Sequence, residues 1–146
     1  MQSKLYWLIP AKILYWQLSG SITASEICEM SRFITTTVDK HPAAQKVHLI
    51  IDATCISMLR HNNLQARSEF ALLTKERWMG QVVAIIRNLQ IQIHLNAMSS
   101  AFGMKWKSVP SMKHAIRSLQ QSDRMIQVIP DVKVASLIER PVLASE

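Results

Sequence analysis

The stretch Lys46-Val-His-Leu-Ile-Ile-Asp-Ala53 and its counterpart Gln81-Val-Val-Ala-Ile-Ile-Arg87 decide the fold. Each is a short apolar run, rich in β-branched residues, that stops abruptly at a charge. Strands buried on both faces have this composition, and such strands belong to a parallel sheet covered by helices. The gap from Thr54 to Gly80 is long enough for a crossover helix, so the pair reads as one βαβ unit. Both strands are too apolar for a sheet edge, which places them adjacent and central.

Working outward, Leu5–Ile9 and Ile13–Leu18 flank Pro10-Ala-Lys12 and read as a β-hairpin, with Gly20 breaking the second strand. Thr23-Ala-Ser-Glu26 has the spacing of a capping box, in which the threonine hydroxyl and the glutamate satisfy each other's orphan amides. The helix it opens carries Ile27, Met30, Ile34 and Val38 on one stripe and ends at His41-Pro42. After the strand Val47–Ile51 a polar loop, Arg60-His-Asn-Asn63, leads into a second helix from Leu64 to Trp78, closed by Gly80. Leu89-Gln-Ile-Gln-Ile-His-Leu95 alternates as a strand would, yet Ile91, Leu95, Met98 and Phe102 hold a helical stripe beyond it; we read Leu89–Phe102 as helix. Met104–Lys107 reads as a short edge strand, and Met112, Ala115, Ile116 and Leu119 as a fourth helix capped by Ser108 or Ser111. Ile126–Ile129 could add a strand before an extended tail.

The expected architecture is therefore a single α/β domain over residues 1–129 with a tail at 130–146. Its core is an open mixed β-sheet with about four helices in the order β-β-α-β-α-β-α-β-α. A chain of 146 residues suits one domain that buries about two-thirds of its unfolded surface without disulfides. Two cysteines, Cys28 and Cys55, make no disulfide framework, and a reducing cytoplasmic setting is the simpler expectation. The apolar start, Leu5–Ile9, is too short to span a bilayer.

The hairpin, the Gly20-Ser-Ile-Thr23 entry to the first helix, and Ile50-Ile-Asp-Ala-Thr-Cys-Ile56 resemble the STAS superfamily, which includes the sporulation anti-sigma-factor antagonists. The related structural class contains the CRAL-TRIO lipid-binding domains. The resemblance runs from about Leu5 to Gln121 and implies a mixed sheet with helices largely on one face, working in protein–protein regulation or ligand sensing. Anti-sigma antagonists carry an Asp-Ser-Ser-Gly-like run at the start of the helix after the third strand, and a serine there is phosphorylated. Counted forward from Asp52, the matching positions here are Arg60-His-Asn-Asn63, which hold no hydroxyl; Ser57 lies several residues too early. The resemblance thus implies a binding domain without the phosphorylation switch.

No catalytic or metal motif accompanies this fold. Cys55 and His61 could form a nucleophile–base pair only across a loop without glycines for an oxyanion site, and a buried inert thiol is the simpler reading. Five scattered histidines and no Cys-x-x-Cys assemble no metal site, and no cofactor is expected. The formal net charge is +7, and between Glu76 and Asp123 there is no acidic residue, while Arg77, Arg87, Lys105, Lys107, Lys113 and Arg117 fall there. Such a surface suits an acidic protein, an anionic ligand or, least of the three, nucleic acid, for which no binding motif is present.

Two functions stay open: a non-enzymatic regulatory or scaffold domain acting through protein contacts, including self-association, and a binder of a small anionic metabolite or lipid. In open α/β sheets, binding favours the crevice outside the carboxyl ends of the parallel strands. Those ends supply Asp52, Thr54, Arg60, His61, Asn62 and Asn63 from one loop and Arg87 and Asn88 from the next. Arg60 and Arg87 would anchor an anionic group there. The alternative is that Asp52 and the asparagines cap turns and helices.

Overall fold

The computed structural model describes residues 3–40, 46–60, 64–93, 96, 106–124, 126 and 136–138. The strands are β1 (Lys4–Ile9), β2 (Ile13–Thr23), β3 (Val47–Arg60), β4 (Met79–Ile85), β5 (Lys107–Val109) and β6 (Ser136–Ile138). The helices are α1 (Ala24–Asp39), α2 (Leu64–Thr74), α3 (described over residues 89–93) and α4 (Met112–Ser122). The strands form one six-stranded mixed sheet in the order β5-β4-β3-β2-β1-β6. β1 pairs antiparallel with β2 and β6, and β2, β3, β4 and β5 run parallel.

The two deciding runs are neighbours, with Ile50 opposite Val83 and Ile51 opposite Ala84, and neither lies at an edge. Alternation along them builds two cores. On one face Leu14, Trp16, Leu49, Ile51 and Ala84 pack beneath Met30, Ile34 and Val38 of α1 and Phe70 and Leu73 of α2, with Ile91 of α3 joining them. On the other, Ile13, Tyr15, Ile50, Val83 and Ile85 meet Ala115 and Leu119 of α4, with Ile126 alongside. So α4 alone, among the described helices, covers the second face.

Local chemistry sets the element ends. Pro10-Ala-Lys12 turns the hairpin, with Ala11 at φ 60° and the Lys12 amide donating to the Ile9 carbonyl at 3.0 Å. The capping box is present: the Thr23 amide donates to Glu26 Oε2 at 3.1 Å and the Glu26 amide to Thr23 Oγ1 at 3.3 Å. Ser111, rather than Ser108, caps α4.

Four expectations are corrected. Gly20 does not end β2; it lies inside it at φ +75°, beside a register shift, because a glycine accepts the left-handed conformation that a bulge requires. Gly80 does not close α2, which ends at Thr74; it sits in β4 under His48, where a Cβ would fall 2.5 Å from the imidazole Nδ1. β5 is Lys107–Val109, with the apolar Val109 packed on the second core; of the expected strand Met104–Lys107 only Lys107 belongs to it, Trp106 precedes it, and Met104 and Lys105 lie outside the described residues. Ile126 is a buried residue of the second core and no strand, and residues 127–129 lie outside the described set. Beyond them, Ser136–Ile138 adds β6 to the sheet, a three-residue strand too short to leave a period in the sequence. Residues 89–93 and 96 are helical, as the Leu89–Phe102 reading expects over those positions; residues 94, 95 and 97–102 are outside the described set.

Candidate functional site

The sequence places Asp52 at a strand end. It stands instead in the middle of β3, opposite Gln17 of β2 and Ile85 of β4, and β3 continues for eight residues to Arg60. Strand alternation puts Asp52 on the same face as Ile50 and Tyr15. Its carboxylate is held by three hydrogen bonds: Oδ2 accepts from the Tyr15 hydroxyl, and Oδ1 accepts from the Thr54 amide at 3.0 Å and the Thr54 hydroxyl at 2.6 Å. The register slips by one residue here, since Gln17 pairs with Asp52 while Ser19 pairs with Cys55. Asp52 therefore bonds the amide two residues on and pins a β-bulge, much as an aspartate does in a turn.

Tyr15 is the other half of this arrangement and only 4% exposed. Burial first, then its bond to the Asp52 carboxylate, pushes the phenol far above its usual pKa near 10, because ionisation would place two anions together in a dry site. The Tyr6 ring packs on Tyr15 at a centroid distance of 5.9 Å. Cys55, expected to be buried, is exposed, with Sγ 3.8 Å from the Thr54 hydroxyl, because the strand carries it out beyond β4.

Past the Lys4–Gln17 and Asp52–Ile85 pairs, β2 and β3 pair only with each other among the described residues. They project as a two-stranded parallel ribbon whose inner positions, Leu18, Ile22 and Ile56, are buried. The other face carries Ser19, Ser21, Cys55 and Ser57, with Ser21, Cys55 and Ser57 exposed. The ribbon leads into α1 at Thr23 and toward α2 at Leu64.

The remaining expected site residues are dispersed. Arg60 pairs with Thr23 at the ribbon's tip, about 25 Å along the strand from Asp52. Arg87 lies just past β4 at the ribbon's base, exposed, and its Nε donates to the Pro110 carbonyl at 3.4 Å. Asn88 caps α3, Oδ1 accepting from the Gln90 and Ile91 amides at 2.9 and 3.4 Å. His61, Asn62 and Asn63 lie outside the described residues. Asp52 and Thr54 are thus brought together, and the two arginines stand at opposite ends of the ribbon.

A second polar cluster, not anticipated from sequence, lies at the other end of β3 and β4. His48 is 6% exposed; Nδ1 accepts from the Gln81 amide at 2.9 Å, and Nε2 lies 3.1 Å from Asp123 Oδ2. With Nδ1 occupied as an acceptor, the imidazole proton is on Nε2 and donates to Asp123. Gln81 continues the network to Ser118 Oγ at 3.2 Å and Ser122 Oγ at 2.5 Å. Both ring nitrogens are used, so this histidine ties α4 to the sheet rather than acting as a base. The only local signal was Gly80, the one residue small enough to pass beneath the ring.

Among the described residues, no three or more His, Cys, Asp or Glu side chains gather as a metal site would require, and no helix is long and apolar enough to cross a membrane.

No family model and no curated protein sequence matches this chain. Solved structures do. An uncharacterised protein of the DUF3478 family with a SpoIIAA-like fold, from Shewanella loihica, aligns with TM-score 0.51 and 15% identity over 73% of this chain and 83% of that one. The anti-sigma factor antagonist SpoIIAA in its unphosphorylated form aligns with TM-score 0.50 and 11% identity over 80% and 97%. The Bacillus cell fate determinant SpoIIAA in its phosphorylated form gives the same score and identity over 80% and 98%. The chain has the SpoIIAA-like fold. That is the architecture the STAS resemblance implies.

Proposed function

We propose that this chain is a non-enzymatic regulatory or scaffold domain of the STAS type, acting through protein contacts at the tip of the β2–β3 ribbon without a serine switch there. The observation that carries this reading is Arg60-His-Asn-Asn63, at the entry to α2 in a SpoIIAA-like fold, with no hydroxyl for a kinase. A phosphate at a helix start acts by placing charge beside the free amides. Ser57, the nearest hydroxyl upstream, is the extra residue at a register shift within β3 rather than a residue at a helix start, so a phosphate on it would have no free helix amides to meet.

The internal chemistry supports a binding role over catalysis. The Asp52 carboxylate is engaged by Tyr15 and Thr54, both His48 nitrogens are engaged, and the Asn88 side chain caps α3. These are groups that shape a surface rather than move protons.

The test is recovery of the full chain with its partner from native cells, followed by intact-mass measurement of the bound form. A stoichiometric protein partner on an unmodified chain is the expected result. A bound chain heavier by a phosphate at Ser57, or a chain that turns over a substrate, would overturn the reading. A co-purifying metabolite or lipid in place of a protein would establish the ligand-binding alternative.

A further inference from the structure

Four of the six cations in the acid-free stretch between Glu76 and Asp123 lie about one edge of the sheet. Lys107 lies on β5, the edge strand, opposite Val83 and on the side of the sheet that α4 covers. Arg87 reaches across to the Pro110 carbonyl, just before α4 begins. Lys113 and Arg117 stand one turn apart on α4 and are exposed, while Ala115 and Leu119 face the core. Asp123, the acid that follows them in sequence, is turned to His48. Arg77 sits apart in the turn before β4, and Lys105 is outside the described residues.

On the other side of the same edge lies α3, tied to β5 by Gln92 Nε2 donating to Ser108 Oγ at 3.4 Å. Its buried Ile91 faces the core, whereas Leu89 and Ile93, one turn apart, are 68% and 59% exposed. The β5 edge thus combines a cationic flank on α4 with an apolar pair on α3, and Arg87 precedes Leu89 by two residues.

We propose that the β5 edge, flanked by α3 and α4, is a docking surface for an anionic membrane. A phosphate backbone rewards cations alone and would leave Leu89 and Ile93 in water. Single strands further require exposed aromatic platforms, and Trp106 here packs edge-on against Phe70 at 6.3 Å. An acidic protein would have to match the relief of two helices and a strand. A bilayer surface needs only cations on one side and apolar side chains at the boundary, which it buries at headgroup depth. This surface is separate from the ribbon tip and would localise the domain while the tip remains free for a partner.

The test is co-sedimentation of the full chain with phosphatidylcholine vesicles, with and without phosphatidylserine as about a third of the lipid. The chain is expected to bind only the anionic vesicles, and less as salt is raised. Each Lys or Arg near such a surface changes partitioning about fivefold, so Arg87→Gln with Lys113→Gln and Arg117→Gln should weaken it about a hundredfold. Leu89→Ser with Ile93→Ser, which changes no charge, should weaken it about tenfold or more. Removing the same charge elsewhere, with Lys4→Gln, Lys40→Gln and Lys46→Gln, should leave most binding in place. All variants alter exposed or chain-connecting positions and are compared at matched melting temperature. Absence of binding by the wild-type chain, or equal loss in the control triple variant, overturns the proposal. Tighter binding to duplex DNA or polyglutamate at equal charge concentration, indifferent to Leu89 and Ile93, would reassign the surface to a soluble polyanion.

Discussion

Replacing Tyr15 with phenylalanine should change how stability depends on pH, and the direction follows from the buried bond to Asp52. At neutral pH the variant loses one charge-assisted hydrogen bond, worth about 1.5 kcal/mol at the low end because Thr54 still supplies two donors to the carboxylate. In the unfolded chain Tyr15 ionises at its ordinary pKa near 10, while in the folded chain burial and Asp52 hold the phenol protonated well above it. A folded-state pKa raised above the unfolded value gives stability that is complete below pH 10 and lost as the pH rises. The native state binds the extra proton, so unfolding becomes easier by about 1.4 kcal/mol per pH unit above 10. Phenylalanine has no proton to lose. The two stabilities should therefore converge and cross near pH 11, about one unit above the ordinary tyrosine value. Other tyrosines, lysines and cysteines titrate in both proteins and cancel in the difference. Urea unfolding followed by tryptophan fluorescence, from pH 7 to 11, measures this. A stability difference that stays constant across the range would refute the buried Tyr15–Asp52 pair.

Gly80→Ala should cost about 2–4 kcal/mol in chemical denaturation, because the new Cβ displaces His48 and releases its bonds to Gln81 and Asp123; a change under about 0.5 kcal/mol would mean the ring does not lie over that glycine. Ile50→Asp should abolish cooperative unfolding, since a fully buried unpaired carboxylate costs at least ~3 kcal/mol, and a sharp melt near the parent's would contradict the central placement of β3. Thr23→Ala should lower stability by about 1 kcal/mol by opening the capping box, whereas Ser25→Ala in the same turn should do little; equal effects would show that the cap is idle.

What the sequence revealed and what it hid divide along the range of the interactions involved. The β3–β4 pair and the capped α1 stripe were legible because a strand period and a capping box lie within a few residues of chain. The continuation of β3 to Arg60 was hidden. Asp52, Thr54 and Ser57 look like loop residues until Tyr15 is seen to neutralise the cost of Asp52 from 37 residues away. Gly20 and Gly80 have the composition of terminators, but one accommodates a bulge and the other a ring from the neighbouring strand. The expected crevice depends on the same point, since the apolar run of its first strand stops at Ile51. With the strand continuing, Arg60 moves to the ribbon's tip and Arg87 stays at its base. The clustering of Arg87, Lys107, Lys113 and Arg117 about one edge depends on sheet order, which composition alone does not encode.

In the proposed function a protein partner meets the tip of the β2–β3 ribbon. Amide hydrogen exchange of the full chain, free and saturated with the partner recovered from native cells, tests it most directly. Exchange should slow in Ser19–Thr23, in Cys55–Arg60 and in the first turns of α1 and α2, with the amides of α4 unchanged by that partner. Protection confined to α4 and β5, with the ribbon exchanging as fast as in the free chain, would contradict it.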